Sequence, residues 1–319
     1  MGFVIRVYED KRDFPTLFAL WENIFHPRWA LTPELLYRVL IDNPCYQPGD
    51  HFIAEVAGNL VGFVGTQINR GEYFSCSSGG ISLLMVDRWY RGQGLGAELH
   101  RIAMEHLREN NLQVALLGGG SIWRLWPGIP EEMDEAIHFF HHQGWESLFY
   151  CFDMVRSLED YQISQTTIKR VNQQNIDIHP ALTEETNAIL NFESVTFPGW
   201  LGEYRYKVAC GDFQDILAAW QDGEVVGTLL MFTPRSQALT QNLLWKEILG
   251  QNLGGMGAIG VREDRQGKGI GIALVGQGSQ LLKTQGVGNS LIDWTDLDKF
   301  YGKLGYQRWR CYQFGVRSL

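Results

Sequence analysis

Two short glycine-rich runs, Arg91-Gly-Gln-Gly-Leu-Gly96 and Gln266-Gly-Lys-Gly-Ile-Gly271, follow apolar segments that close on Val86 and Val261. Glycines at this spacing let the backbone turn tightly and leave free N–H groups at the start of a helix, where the helix dipole favours an anion. Each run is therefore a candidate cradle for a pyrophosphate. Neither is a Walker loop, because Gly269 follows Gly267-Lys268 where a Ser or Thr is required. Gly92-x-Gly94-x-x-Ala97 formally fits the dinucleotide fingerprint, but Ile272 stands in the second run where Ala97 stands in the first. Neither run opens a series of βαβ units, which that fingerprint needs.

The elements that must position these runs are written twice. GGISLLMVDRWYRGQGLG at 79–96 aligns with GGMGAIGVREDRQGKGIG at 254–271, glycine on glycine and Val86 on Val261. Upstream, FIAEVAGNLVGFVG at 52–65 aligns with ILAAWQDGEVVGTLL at 216–230; downstream, AIHFFHHQGW at 136–145 aligns with LDKFYGKLGY at 297–306. Three blocks in one order, separated by slightly different loop lengths, indicate a duplicated domain. In the first copy FVIRVYE alternates as a strand, and DFPTLFALWENIF is helical behind an Asp that can cap it. TPELLYRVL is a helix opened by a Thr cap, and HFIAEV and LVGFVGTQI form a hairpin turned at Gly58-Asn59. SLLMV is a buried strand, LGAELHRIAMEHLREN the helix after the loop, VALLG a strand, PEEMDEAIHFFHHQG a helix and ESLFYCFDMV the closing strand. The second copy repeats this from IDIHPA to RWRCYQFGV, and the polar segment within 157–174 reads as the boundary.

Bulk properties agree. A chain of 319 residues exceeds the size at which one core usually stops growing. With 45% hydrophobic and 20% charged residues it lacks the apolar-poor profile of a disordered protein. A net charge of -9 and a pI near 5.4 argue against non-specific nucleic-acid binding. Five scattered cysteines without zinc spacing fit reduced thiols in a cytoplasm, and the acidic, strand-like start fits neither a signal nor a transit peptide. No apolar run reaches the length of a membrane span.

The pattern of a strand ending in Val, then Arg/Gln-x-x-Gly-x-Gly, a long helix and later a Phe-Tyr-x-Lys-x-Gly-Tyr block resembles the GNAT superfamily of acetyltransferases, over nearly the whole of both halves. The resemblance implies two tandem α+β domains, each with a mixed, mainly antiparallel sheet splayed between its fourth and fifth strands and flanked by helices. It divides the chain into an N-terminal domain at 1–157, a linker at 158–174 and a C-terminal, catalytic domain at 175–319. It implies acetyl-CoA as cofactor, and a small-molecule or protein amine as acceptor. Gln266, Gly267, Lys268, Gly269, Ile270 and Gly271 would hold the pyrophosphate, with Ile259 and Val261 pairing their backbone with pantetheine. In the first half these places fall to Arg91, Gly92, Gln93, Gly94, Leu95 and Gly96, with Leu84 and Val86. Tyr301 takes the role of the acid that protonates the departing thiolate.

The first half carries Phe140 where Tyr301 stands, and a phenyl ring cannot donate a proton. That half is expected to bind CoA without turnover or to serve as a structural partner. As the base, Asp293 at the end of the strand SLID is the first choice; Glu193 and Glu203 are alternatives. GGGSIWRLWPGIPEEM lengthens one connection of the first half, and its Trp123 and Trp126 are read as packing between domains ahead of substrate contact. SQALTQNLLWKEILGQN in the second half reads as core packing or a subunit contact. Two other readings compete with the acetyltransferase: a non-catalytic CoA-binding regulatory module, and a tandem enzyme using a different acyl-CoA.

Overall fold

The computed structural model describes residues 2–70, 78–118, 123–238 and 243–319. In chain order the elements are β1 (Val4–Val7), α1 (Asp10–Phe25), α2 (Pro33–Leu40), β2 (His51–Val56), β3 (Asn59–Ile68), β4 (Gly79–Val86), α3 (Leu95–Glu109), β5 (Val114–Leu117), β6 (Ile129–Pro130), α4 (Asp134–His142) and β7 (Glu146–Ser157). The second series runs α5 (Gln165–Asn172), β8 (Ile176–Pro180), α6 (Thr186–Thr196), α7 (Leu201–Ala209), β9 (Ile216–Gln221), β10 (Glu224–Phe232), α8 (Lys246–Leu249), β11 (Leu253–Val261), α9 (Ile270–Thr284), β12 (Asn289–Thr295), α10 (Asp298–Gly302) and β13 (Gln307–Ser318).

Most local expectations hold, for local reasons. Thr32 caps α2 by accepting from the Leu35 N–H at 3.3 Å. The β2–β3 and β9–β10 hairpins each turn through two left-handed residues, Ala57-Gly58 and Asp222-Gly223, so the first turn lies one residue before the expected Gly58-Asn59. Helix α1 begins at Asp10, four residues earlier than the Asp13 cap would place it. Asp13 instead reaches back to the Glu9 N–H at 2.8 Å and pairs with Arg6 at 2.6 Å. The helix expected over PEEMDEAIHFFHHQG is confined to α4, because Ile129–Pro130 pairs with Tyr312 and Gln313 of β13 and draws that segment into the sheet.

Contacts divide the chain into two compact units that do not follow chain order. Unit 1 takes the described residues up to Cys151 together with Arg310–Leu319; unit 2 takes Phe152–Trp309. In unit 1 the strands run β1-β2-β3-β4-β5-β13, with Val316 opposite Leu116 and Ser318 opposite Val114. Unit 2 runs β8-β9-β10-β11-β12-β7, with Leu291 opposite Val155. Each sheet is thus completed by the closing strand of the other repeat, and cuts after 157 and before 175 separate pieces that fold together. The segment 158–174 is not a bare linker: its helix α5 packs on α9 of unit 2, and Val171 is buried.

The geometry that matters lies between the fourth and fifth strands of each repeat. In unit 2, β11 and β12 pair in parallel only from Leu253–Asn289 to Met256–Ile292, after which β11 runs on to Val261 paired with β10 but not with β12. In unit 1, β4 and β5 pair only at Gly80–Leu116 and Ile81–Leu117 before they part. In unit 1 glycine permits the close approach at the base: a β-carbon on Gly80 would lie 1.8 Å from the Leu116 carbonyl oxygen. The cores behind the sheets are aliphatic. Leu229, Leu274 and Leu282 are wholly buried in unit 2, as are Val64, Leu99 and Leu107 in unit 1, each contributing about 1.5–3 kcal/mol.

Candidate active site

Both glycine runs fold alike. After a short 3-10 turn the chain passes through left-handed glycines, Gly92 at φ 71° and Gly94 at φ 85° in unit 1, Gly267 at φ 74° and Gly269 at φ 93° in unit 2. Gly94 and Gly269 cap α3 and α9, and a β-carbon there would force a backbone conformation that L-residues avoid. Neither cap makes a side-chain hydrogen bond to the helix, so the first amides of α3 and α9 remain available for an anion. Arg91 and Gln266 brace the loops, donating to the Val86 carbonyl at 3.0 Å and the Val261 carbonyl at 3.1 Å. Their side chains therefore hold the turn, while Gln93 donates to the Trp89 carbonyl at 2.9 Å.

The strands preceding the loops present backbone to the gap. The Asp87 N–H bonds the Val61 carbonyl and the Arg262 N–H the Val226 carbonyl, which fixes the phase of both antiparallel ladders. By alternation, Val86 and Leu84, and likewise Val261, turn their N–H and C=O groups away from the paired strand, with the Val86 and Val261 carbonyls taken by Arg91 and Gln266. The groups left free on these edges can pair with an extended amide chain. In unit 1 they open into a cavity of about 920 Å³ whose wall includes Leu84, Val86, Gly92, Gly94, Gly96 and Phe140.

The Phe-Tyr block sits against the loop helix in both units. A β-carbon on Gly271 would stand 3.2 Å from the Phe300 ring, and one on Gly96 3.5 Å from that of Phe139. This contact turns the next residue inward. Tyr301 is only 6% exposed, hydrogen bonded to Thr295, and its hydroxyl is pushed well up by burial, with the charge of Asp293 adding to the effect. Phe140 occupies an apolar nest with Phe139 and Trp145, its ring 5.8 Å from that of Trp145. Beside it the His100 imidazole accepts from the Trp145 indole N–H at 2.9 Å and is held down to about 4 by burial, hence neutral.

Asp293 lies on β12, half-buried, where a bulge between Ile292 and Thr295 interrupts the ladder. The next residue, Trp294, is left-handed at φ 40°, and its N–H donates to the buried Asp153 carboxylate at 3.1 Å. Across the gap Ala258 of β11 is left-handed at φ 46°. Glu193 of α6 is fully buried and its carboxyl is pushed up to about 8 by burial, against a hydrogen bond from Thr228.

Two groups of residues escaped the sequence reading. Arg170 of α5 donates to the Gly267 carbonyl at 2.9 Å, its guanidinium lying over Gly269, and Gln174 donates to the Lys268 carbonyl at 3.0 Å. The segment was expected as a polar linker, so neither helix α5, opened by the Ser164 cap, nor its docking on the loop was foreseen. Tyr204 of α7 donates to the Ala258 carbonyl at 2.7 Å. The tryptophans of the long connection pack within their own unit, Trp126 stacking on Trp21 at 5.6 Å and meeting Trp29 at 5.2 Å, which replaces the expected packing between domains. Leu244 and Trp245 are wholly buried, as core packing requires. Residues 239–242 of that insertion and 119–122 of the other lie outside the described residues.

A sheet parted after its fourth strand, beside an amide-rich glycine loop and an inward aromatic, defines an acyl-CoA-dependent acyltransferase fold, here present twice. The chain belongs to the acetyltransferase (GNAT) family, whose profile matches residues 14–120 and 186–306. A mycothiol acetyltransferase of Thermobispora bispora is 34% identical over 122 residues, which cover 36% of this chain and 40% of that protein. The GCN5-related glucosamine N-acetyltransferase region of a fungal multi-domain GH3 β-N-acetylglucosaminidase superposes with a TM-score of 0.92 at 31% identity, covering 99% of this chain and 38% of that one. The chain therefore spans well under half the length of both relatives. A tandem GNAT protein from the clavulanic acid biosynthesis pathway shares the fold at a TM-score of 0.63 and 12% identity, over 99% of this chain and 98% of that one. Among the described residues no helix is long and apolar enough to cross a membrane, and no cluster of His, Cys, Asp or Glu could hold a metal ion.

Proposed function

We propose that the chain is an acetyl-CoA-dependent N-acetyltransferase whose second unit transfers the acetyl group to a primary amine by direct attack. The observation that carries this reading is the buried Tyr301 phenol beside Thr295 and Asp293 at the parted end of β11 and β12. Burial keeps the phenol protonated at neutral pH, as an acid to the departing CoA thiolate must be. The N–C bond forms as the amine attacks the thioester carbon; the C–S bond breaks, and the thiolate takes the Tyr301 proton. Asp293, half-buried, would take the proton from the amine. Gly267 to Gly271 would receive the pyrophosphate on the α9 amides, and the free edge of Ile259 and Val261 would pair with pantetheine.

Unit 1 supports CoA binding through its open cavity and its matching loop, while Phe140 withholds the acid. We place the chemistry in unit 2 and a CoA-holding role in unit 1. The structural relative at 31% identity makes an amino sugar of the glucosamine type the first acceptor to test. The assay is release of CoA thiol from acetyl-CoA with glucosamine and a panel of primary amines. Binding of CoA without thiol release from any amine would favour the non-catalytic reading.

A further inference from the structure

The helices in front of β9 reach across unit 2 to one strained peptide in β11. Leu229 of β10 faces two residues of β11, because Thr228 pairs with Gly260 but Leu230 with Gly257. The extra residue makes a bulge at Ala258 and Ile259, and Ala258 adopts φ 46°, a left-handed conformation that an alanine avoids. Leu83, the residue of unit 1 that aligns with Ala258, is not among the left-handed residues. Something in unit 2 must hold this conformation, and its carbonyl is captured by the Tyr204 hydroxyl at 2.7 Å.

Tyr204 is itself held. It is wholly buried and accepts a hydrogen bond from Thr228, whose hydroxyl oxygen lies 2.5 Å from Glu193 Oε1. Glu193 Oε2 is buried with no hydrogen-bond partner among the described residues, an arrangement a charged carboxylate would not tolerate. The Phe197 ring lies on Gly260, where a β-carbon would stand 2.3 Å from it, and closes the same face. The chain Glu193, Thr228, Tyr204, Ala258 is thus a buried relay of hydrogen bonds that ends on the backbone of the parted strand.

Across a trans peptide the N–H lies opposite the C=O. With the Ala258 carbonyl turned to Tyr204, the Ile259 N–H points away from Tyr204. We propose that Tyr204, anchored through Thr228 to Glu193, is a positioning residue that presents the Ile259 N–H to the carbonyl oxygen of the bound thioester. A donor fixed where negative charge develops lowers the barrier without changing ground-state affinity. This inference rests on the assignment of acetyl transfer to unit 2.

The test uses the full chain and its Tyr204→Phe variant with acetyl-CoA labelled with carbon-13 at the carbonyl. In the wild-type protein the bound carbonyl resonance is expected downfield of the free one, and in Tyr204→Phe that shift is lost while the dissociation constant stays within about twofold. With glucosamine as acceptor kcat falls about tenfold to a hundredfold and KM for acetyl-CoA is unchanged. Thr228→Ser against Thr228→Val repeats the test without touching the phenol, and Ser should keep the shift and the rate that Val loses. An unchanged resonance in Tyr204→Phe, or a rise in KM at constant kcat, overturns the positioning role alone. A wild-type protein that takes up no acetyl-CoA overturns the functional assignment together with it.

Discussion

Phe300 rests against Gly271 of the loop helix, its ring 3.2 Å from the place a β-carbon would take. That contact fixes the roll of α10 on α9 and sends Tyr301 inward. The aligned pair Phe139 and Gly96 performs the same task in unit 1 and sends in Phe140 instead. One oxygen atom therefore separates the acid capacity of two similarly built sites.

Tyr301→Phe is expected to lower kcat about 10²–10⁴-fold with little change in CoA affinity, because the phenol acts on the leaving thiolate. Stopped thiol-release kinetics with calorimetric CoA titration check both halves of the statement. An undiminished rate would remove Tyr301 as the acid.

Gly94→Ala and Gly269→Ala each place a β-carbon on a left-handed helix cap, at a cost of about 1–2 kcal/mol. The second also presses on Arg170, whose Nε would lie 2.9 Å from the new carbon. With one CoA per unit, each variant should weaken one of two binding events in calorimetry. Only Gly269→Ala should slow turnover.

Arg170 sets a cation at the positive end of α9, where another positive charge is unfavourable until an anion arrives, and no carboxylate pairs with it among the described residues. Arg170→Ala is expected to weaken CoA binding by unit 2 severalfold and to make that affinity less sensitive to salt. Tighter binding in the variant would instead mean that Arg170 obstructs the loop.

Glu193 gives unit 2 an unusual pH response. Its carboxyl rises from 4.5 to about 8 on folding, so between these values the unfolded chain releases a proton that the folded protein keeps. Stability from this group is full below 4.5 and declines as pH rises toward about 8. Glu193→Gln should therefore be progressively more stable than wild type on going from about pH 5 to about pH 8, by thermal melts. A difference independent of pH would show that Glu193 is ionised in the folded protein.

The sequence by itself determined the duplication, the two glycine loops, the aromatic block behind each and the Tyr-for-Phe difference, because spacing and residue type depend on backbone rules that act over a few residues. The parting of the fourth and fifth strands was expected only from the resemblance that these motifs carry. Tertiary structure alone decided which strand segments complete each sheet, that α5 docks on the second loop through Arg170 and Gln174, and that Trp126 packs on α1. It likewise decided that Glu193, one of two carboxylates proposed as alternative bases, is buried and bonded to Thr228 while Tyr204 holds the Ala258 carbonyl. Such pairings join residues tens of positions apart, and a hydrogen bond or a desolvated charge exists only once the packing that brings both partners together has formed.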